Sequence, residues 1–410
     1  MKINSKRLRD NFEKIIRISA TEMGCTRYSY SKEDIEVRRI LKKQLTDLQM
    51  AISIDGMGNI RAKYNPMKSK KSSIMVGSHI DTVPKGGKYD GLIGVLTALE
   101  AIQSLNDSKI NLSRPIELII FSEEEGSNFG ITMLGSKTLV GILKYEDLIL
   151  IKDFNGKPLT EIVEEAGFGI NADESLEIKD IPHAMIELHI EQGAILEKSN
   201  IPIGIVENIV GMDVMKVNIK GISNHAGTTP MDSRKDPMVA ASKIISEIPR
   251  YPQLYGGNNS VSTVGKISAK PNVSNVIANE VEFYVDIRDV ERKNIENIYN
   301  NLEKNIGKLC ESSGLEFEID KFATSMPVPL SDKIVNEIEK ASKQLDIPYH
   351  KMVSGAVHDA AMMAERMDVG MIFLPSIGGI SHSPDEDTKF EDIEQGTRLL
   401  LQVLVNLANQ

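Results

Sequence analysis

Four short apolar segments of this chain each lead into residues that can carry a charge or bind a metal, and this pattern constrains the fold most. The segments cover residues 73–78, 116–121, 184–190 and 369–374. Between the first two, the apolar positions of residues 91–105 repeat at helical spacing. Continuous apolar strands that alternate with helices are typical of a parallel sheet covered on both faces. We therefore predict an α/β domain built on a mostly parallel sheet.

The middle of the chain has a different pattern. An alternating strand is followed by a helix at 237–248, two strands, a long polar helix at 291–312 and a last strand. The order βαββαβ indicates a compact α+β unit of the ferredoxin-like type. We expect residues 213–325 to form this domain, inserted into a discontinuous first domain that comprises residues 1–212 and 326–410.

Composition excludes several classes of protein. Contents of 41% hydrophobic and 26% charged residues are typical of a globular protein, and no apolar run is long enough for a membrane span. The net charge of −10 argues against a nucleic-acid partner. The charged N-terminal residues show no secretory signal, and the two cysteines lie far apart. We therefore expect a cytoplasmic protein with neither a nucleic-acid nor a membrane partner.

The groups that follow the four apolar segments are imidazoles and carboxylates without thiolates. They are His79 and Asp81 with Asp90, then Glu123–Glu125, His189, and His382. Ligands of open α/β sheets bind beyond the carboxyl ends of the strands, so these side chains could converge at one rim. Such a set suits a hydrolytic metal site, although an isolated His-x-Asp is usually a surface feature. More candidate ligands are present than one catalytic metal uses, and two metals that share a carboxylate would account for the surplus.

Five motifs carry a family resemblance. They are GSHIDTVPKGGKYDG, SEEEGSNFG, ELHIEQG, NHAGTTPMDSRKDP and GGISHSPDE. Their order and spacing resemble the amidase, hydantoinase and carbamoylase branch of the two-zinc aminoacylase/carboxypeptidase-like metallohydrolases, over nearly the whole chain. That branch includes N-carbamoyl-L-amino-acid hydrolases, allantoate amidohydrolases and β-ureidopropionases.

The resemblance implies a dinuclear metal site. Asp90 would bridge the two ions, with His79 and His189 on one ion. Glu125 and His382 would complete the protein ligands of the other ion. Zinc is the expected metal, and manganese, cobalt or nickel are alternatives because such ligands accept all of them.

The resemblance also implies roles for residues beyond the metal ligands. Glu124 would be the general base that takes a proton from water and later gives it to the leaving nitrogen. Asp81 would orient the imidazole of His79, and His225 of the inserted domain would stabilise the oxyanion. The implied substrate-binding residues are Gln192, Asn275, Arg288, Gly355 and His358. In the segment SGAVHDA, Val357 stands where the family usually has glycine, which puts the substrate preference in question.

We therefore predict a metal-dependent amidohydrolase that cleaves the linear carbamoyl C–N bond of N-carbamoyl-L-amino acids and releases ammonia, carbon dioxide and the amino acid. Allantoate amidohydrolase or β-ureidopropionase activity is the nearest alternative. A peptidase or deacylase is a further alternative, but its relatives usually have a carboxylate where this chain has His189. A non-catalytic metal-binding protein is disfavoured because neither Glu124 nor a ligand is missing. The inserted domain is expected to act as a lid and to join two copies in a homodimer.

Overall fold

Helices and strands alternate along most of the chain in the computed structural model, which describes residues 2–173 and 175–410. The strands are β1 (Ala20–Thr21), β2 (Gly24–Cys25), β3 (Ala51–Ile54), β4 (Ile60–Tyr64), β5 (Ile74–His79), β6 (Ile116–Phe121), β7 (Ala184–Ile190), β8 (Ile203–Ile209), β9 (Gly211–Lys220), β10 (Val261–Lys270), β11 (Glu280–Asp289), β12 (Glu316–Ser325), β13 (Val328–Pro329), β14 (Tyr349–Ser354) and β15 (Asp368–Leu374). The α-helices are α1 (Ser5–Ser19), α2 (Lys32–Asp47), α3 (Leu92–Asp107), α4 (Leu134–Leu139), α5 (Tyr145–Leu148), α6 (Leu159–Glu165), α7 (Ile195–Ser199), α8 (Pro237–Glu247), α9 (Tyr251–Tyr255), α10 (Arg292–Ser312), α11 (Asp332–Gln344), α12 (Asp359–Met363) and α13 (Phe390–Ala408). Among the described helices, none is both long and apolar enough to cross a membrane.

The chain divides into two compact units. The first unit consists of the described residues up to 207 together with 330–354 and 358–410. The inserted unit consists of residues 208–329 and the short segment 355–357.

The first unit is built on a mixed sheet, so the prediction of a mostly parallel sheet is wrong. Its strands lie in the order β8, β15, β7, β5, β6, β4, β3, and β14 also pairs with β8. The parallel pairs lie at the centre of the sheet, where β15 pairs with β7, β7 with β5 and β5 with β6. The pairs β8–β15, β6–β4 and β4–β3 are antiparallel. Residues 55–59 join β3 to β4, and a connection this short allows only an antiparallel pair.

Helix α3 is the buried centre of the first unit, and it carries a charged group into the core. The side chain of Glu100 is fully buried there. Arg7 of α1 donates from Nε to Glu100 Oε2 at 2.7 Å and from Nη2 to Oε1 at 2.8 Å. The backbone N–H of Asn4 and the hydroxyl of Ser104 also donate to Oε1, each at 2.8 Å. The buried carboxylate is therefore compensated by one guanidinium and two further donors, and it ties α1 to α3.

The inserted unit has its own antiparallel sheet, in the order β10, β11, β9, β12. Side chains of β9 and β11 alternate between fully and partly buried positions, because only one face of the sheet is covered. The covered face packs against α8 and α10. Within the unit the elements follow the order β9, α8, α9, β10, β11, α10, β12.

Candidate metal centre

The titratable residues of the first unit lie at the carboxyl edge of its central parallel strands. His79 is the last residue of β5, and His189 is the last but one of β7. Glu123–Glu125 follow β6, whose residue Phe121 pairs with His79. Because neighbouring parallel strands end at the same edge, residues far apart in sequence meet there.

Asp90 lies at the centre of this group. Its Oδ1 is 3.4 Å from Nε2 of His79 and 3.2 Å from Nε2 of His189. Its Oδ2 is 3.4 Å from Nε2 of His382, and that nitrogen is also 3.4 Å from Glu125 Oε2. The structure thus brings the five expected ligands together in two overlapping sets that share Asp90, each with ligand atoms within 4.8 Å of one another.

The imidazoles of His79 and His189 are oriented so that Nε2 of each ring faces the carboxylate of Asp90. Nδ1 of His79 lies 3.1 Å from the backbone oxygen of Asp81, and Nδ1 of His189 lies 3.0 Å from that of Ile190. A carbonyl can only accept, so each Nδ1 donates and, in the neutral ring, Nε2 presents a lone pair. In His189 this lone pair also accepts the N–H of Gly91 at 3.1 Å.

This donor set fits divalent cations. Two imidazole lone pairs and a carboxylate oxygen are all acceptors, and acceptors that face one another at these distances need a positive charge between them. Buried Glu125 Oε1 likewise has no hydrogen-bond partner among the described residues. His79, Asp90 and His189 would hold one ion, and Asp90, Glu125 and His382 would hold the second.

Gly91 allows this close arrangement. It precedes α3 with φ 63° and ψ −48°, a conformation that residues with a side chain avoid. A Cβ at this position would lie 2.4 to 2.5 Å from three atoms of the His79 ring. The glycine-rich bend before α3 therefore lets the backbone pass directly against a candidate ligand.

The turn after β6 directs the side chains of Glu124 and Glu125 toward the cluster. Glu123 has a positive φ of 54°, and its carboxylate accepts from the N–H and the side-chain amide of Asn128 at 3.0 and 2.9 Å. Glu124 follows, with Oε2 3.8 Å from Nε2 of His79. Burial raises the pKa of Glu124 well above its usual value, and the neighbouring carboxylate of Glu125 raises it further. Glu124 is therefore a buried carboxyl group beside the cluster with an increased affinity for protons.

Asp81 supports two members of the cluster. Its Oδ2 accepts the backbone N–H of Glu125 at 3.1 Å, and its backbone oxygen accepts from His79. The other carboxylate oxygen lies 3.7 Å from Nδ1 of His79, beyond hydrogen-bond distance. In this structure the carbonyl of Asp81, and not its carboxylate, makes the hydrogen bond that orients the imidazole.

Two of the expected substrate-binding residues also lie at this edge. Gln192 donates from Nε2 to Asp90 Oδ2 at 2.8 Å, directly beside the ligand set. His358 is only 3% exposed, and its ring lies 4.6 Å from that of His189, centroid to centroid. Nε2 of His358 is 3.1 Å from the hydroxyl of Ser354. This placement makes His358 a packing partner of a candidate ligand, whereas Gln192 faces the cluster itself.

The other expected residues belong to the inserted unit. His225 is exposed, and its Nδ1 accepts the backbone N–H groups of Gly227 and Thr228 at 3.0 and 3.2 Å. The proton of the neutral ring is therefore on Nε2. The next residue, Ala226, donates its N–H to the backbone oxygen of Asn275 at 3.0 Å. The structure thus brings the segments of His225 and Asn275 together.

Arg288 lies on β11 and already has an anionic partner. Its Nε and Nη2 donate to the two carboxylate oxygens of Asp286 at 2.8 and 3.0 Å. Nη1 donates to the backbone oxygen of Gly355 at 2.7 Å. Arg288 and Gly355 are therefore neighbours, and any further carboxylate at this guanidinium would compete with Asp286.

Two further residues that were not predicted from the sequence contact Asp90. Ser381 Oγ is 3.1 Å from Asp90 Oδ2, and Glu386 accepts the backbone N–H of Asp90 at 3.1 Å. Both belong to the motif GGISHSPDE, and their proximity in sequence to His382 is the signal that could have identified them.

Comparison with known proteins agrees with these observations. Residues 75–406 match Peptidase family M20/M25/M40. The chain is 38% identical to an N-carbamoyl-L-amino-acid amidohydrolase of Pseudomonas sp. (strain NS671), over 98% of both chains. It is 37% identical to an allantoate amidohydrolase of Bacillus subtilis (strain 168), over 95% of this chain and 94% of the other. The crystal structure of a hydantoinase/carbamoylase family amidase from Burkholderia multivorans superposes with a TM-score of 0.93 at 31% identity, covering 100% of this chain and 99% of the other. The chain therefore belongs to Peptidase family M20/M25/M40, a family of metal-dependent hydrolases.

Proposed function

We propose that this protein is an amidohydrolase that cleaves the carbamoyl C–N bond of N-carbamoyl-L-amino acids. Water adds to the carbamoyl carbon, the bonds from that carbon to both nitrogens break, and the products are ammonia, carbon dioxide and the free amino acid. The observation that carries this proposal is the buried cluster around Asp90 with the carboxyl group of Glu124 beside it. A metal-ligand set next to a buried acid–base group is what hydrolysis of an unactivated C–N bond requires.

Glu124 is assigned the proton transfers. It accepts a proton from the attacking water and then donates it to the departing nitrogen, which would otherwise leave as an unstable anion. Burial of this carboxyl group suits the second step, because burial favours the neutral, protonated form that delivers the proton. A bound pair of divalent ions supplies Lewis-acid polarisation of the substrate oxygen and a stronger nucleophile at neutral pH.

The remaining residues are assigned to substrate binding. Gln192 lies beside Asp90 Oδ2, and its amide can hydrogen-bond a carbamoyl group. His225 presents an Nε2–H donor suited to a developing oxyanion, and Asn275 lies next to its segment. Arg288 is proposed to bind the substrate carboxylate in exchange for Asp286, which its guanidinium can do with two parallel hydrogen bonds. His225, Asn275 and Arg288 belong to the inserted unit, and we propose that this unit closes over the metals as a lid and joins two copies in a homodimer.

The carbamoyl amino acid is the first choice of substrate because the Pseudomonas relative acts on such compounds by its name. Allantoate is the second choice, because the Bacillus relative is almost equally similar. A substrate panel separates them. N-carbamoyl-L-methionine, allantoate, 3-ureidopropionate and a dipeptide are supplied to the zinc-loaded and manganese-loaded enzyme, and ammonia release or peptide cleavage is measured. Turnover of the carbamoyl amino acid above the others supports the proposal, and dipeptide cleavage alone would refute it.

Replacement of Glu124 tests the mechanism. Glu124→Gln keeps the size of the side chain but removes the group that accepts the proton, so turnover should fall by at least about 10³-fold. Metal content, measured by atomic emission, should stay at that of the wild type. Glu146→Gln changes an exposed carboxylate in the same way and should leave turnover unchanged. Substantial turnover by Glu124→Gln would remove Glu124 as the base.

A further inference from the structure

Glu386 lies on the loop that carries His382, and its side chain is buried against the loop that carries Asp90. It is 1% exposed. Its Oε1 accepts the backbone N–H groups of Tyr89 and Asp90 at 3.0 and 3.1 Å. Its Oε2 lies 2.9 Å from the hydroxyl of Ser381, the residue before His382. The carboxylate of Glu386 therefore contacts the backbone of Asp90 on one loop and the side chain of Ser381, the residue before His382, on the other.

The contact between the two loops is closely fitted. A Cβ at Gly87 would lie 1.9 Å from the carboxyl carbon of Glu386, so only glycine leaves room for this side chain. The hydroxyl of Ser381 lies between two carboxylates, 2.9 Å from Glu386 Oε2 and 3.1 Å from Asp90 Oδ2. The backbone and the side chain of Asp90 are thus both connected to Glu386.

The contact through Ser381 falls on one side of the cluster. Asp90 Oδ1 faces His79 and His189, whereas Oδ2 faces His382 and Ser381. Glu386 therefore supports the half of the cluster that contains His382. The half that contains His79 and His189 has its own supports, the backbone carbonyls of Asp81 and Ile190.

We infer that Glu386 is a positioning residue that holds Asp90 and His382 in register, and that it sets the affinity for one ion of the pair, the ion held by Asp90, Glu125 and His382. This inference rests on the metal pair proposed above. His382 lies on a loop and its side chain is 48% exposed, so its own surroundings restrain it little. Groups that orient metal ligands typically contribute 10- to 100-fold to metal affinity.

Metal titration of the purified full chain tests the inference. Chelator-treated protein is titrated with Zn²⁺ in competition with a fluorescent chelator, which resolves the two equivalents. His382→Ala removes a ligand and identifies the equivalent that belongs to its half. Glu386→Ala should weaken that equivalent about 10- to 100-fold and leave the other within about 3-fold of the wild type. Glu386→Gln keeps an acceptor for the two N–H groups and a partner for Ser381, so it should recover both affinities to within about 3-fold.

Asp385→Asn is the matched control, because it removes a carboxylate from the adjacent exposed position. It should bind both ions as the wild type does. Should the wild type itself bind fewer than two ions, the proposed metal pair is wrong whatever Glu386 does. Unchanged binding by Glu386→Ala, an equal loss of both ions, or no recovery in Glu386→Gln overturns the positioning role.

Ser381→Ala provides a second route if Glu386→Ala does not fold, as judged by circular dichroism. It removes only the hydroxyl between the two carboxylates. The same equivalent should weaken about 3- to 10-fold, less than for Glu386→Ala because the backbone contacts of Asp90 remain. Wild-type affinity in this variant overturns the inference.

Discussion

Replacing Gly91 with alanine adds one methyl group at the point where the backbone passes the His79 ring. Two effects follow from the structure. The backbone conformation, φ 63° and ψ −48°, becomes strained for a residue with a side chain. The new Cβ would also lie 2.4 Å from Nε2 of His79, the ring nitrogen that faces Asp90.

The size of both effects can be estimated. The strained backbone costs roughly 1–3 kcal/mol. The Cβ would be about 1 Å too close to the ring, since nonbonded atoms prefer roughly 3.5 Å, so the imidazole must move by a comparable distance. Overpacking of this kind adds about 1–3 kcal/mol. We expect the free energy of unfolding to fall by about 2–4 kcal/mol in total, because part of the strain relaxes. Metal–ligand distances tolerate shifts of only about 0.2 Å, so zinc affinity should fall at least about 100-fold.

Urea unfolding of the chelator-treated protein measures the first effect, and Zn²⁺ titration against a chelator measures the second. Gly169→Ala is the control in the same unit, because its Cβ would meet only the Asn171 side chain, at 3.9 Å. It should unfold and bind zinc as the wild type does. If Gly91→Ala also behaves like the wild type in both measurements, the His79 ring can accommodate the added methyl group. Neither stability nor zinc binding would then depend on a glycine at position 91.

Three further predictions concern stability. Arg7→Met leaves the carboxylate of Glu100 buried without its cation. The free energy of unfolding at pH 7, measured by urea unfolding, should therefore fall by about 3–5 kcal/mol. A loss below about 1 kcal/mol would contradict the pairing. Hydrogen bonds, chiefly from Lys343, lower the pKa of Glu339 to about 2. Because this folded pKa lies below the unfolded value of about 4.3, Glu339 stabilises the protein above pH 4.3 and loses this contribution as the pH falls toward 2. Glu339→Gln should therefore have a lower melting temperature at pH 7, and the difference from the wild type should shrink below pH 4.3; a difference that grows on acidification would be opposite in sign. Removal of metal with a chelator should lower the melting temperature of the wild type, because ions that bind only the folded state stabilise it, and calorimetry with and without added Zn²⁺ measures this.

Much of the fold could be predicted because burial left a clear pattern in the sequence. The strand predicted at 116–121 matches β6, and the strand predicted at 184–190 matches β7, since both are mainly apolar and buried on both faces. Strand direction was harder to predict. Residues 51–64 form the hairpin of β3 and β4, and the short, largely exposed β3 gives little hydrophobic signal. The antiparallel strands at the sides of the sheet were therefore missed.

Part of the candidate site could likewise be predicted from the sequence, and part of it could not. Titratable residues that follow apolar strands predicted the convergence of His79, Glu125 and His189, because strand ends meet at one edge. The contacts of Glu386 with Tyr89 and Asp90 join positions almost 300 residues apart in sequence, through backbone groups that leave no trace in the residue pattern. Only the folded loops reveal them.

The position of β15 also bears on how the chain folds. This strand, Asp368–Leu374, lies between β7 and β8, both of which precede it by more than 150 residues. Until β15 has been synthesised, β7 and β8 each lack the strand that pairs with one of their edges, so this part of the sheet cannot form earlier. Sheets completed by such distant segments fold slowly and expose edges that can pair with other chains. His382 follows β15 closely in sequence, so the proposed second ion could be bound only after this strand has joined the sheet.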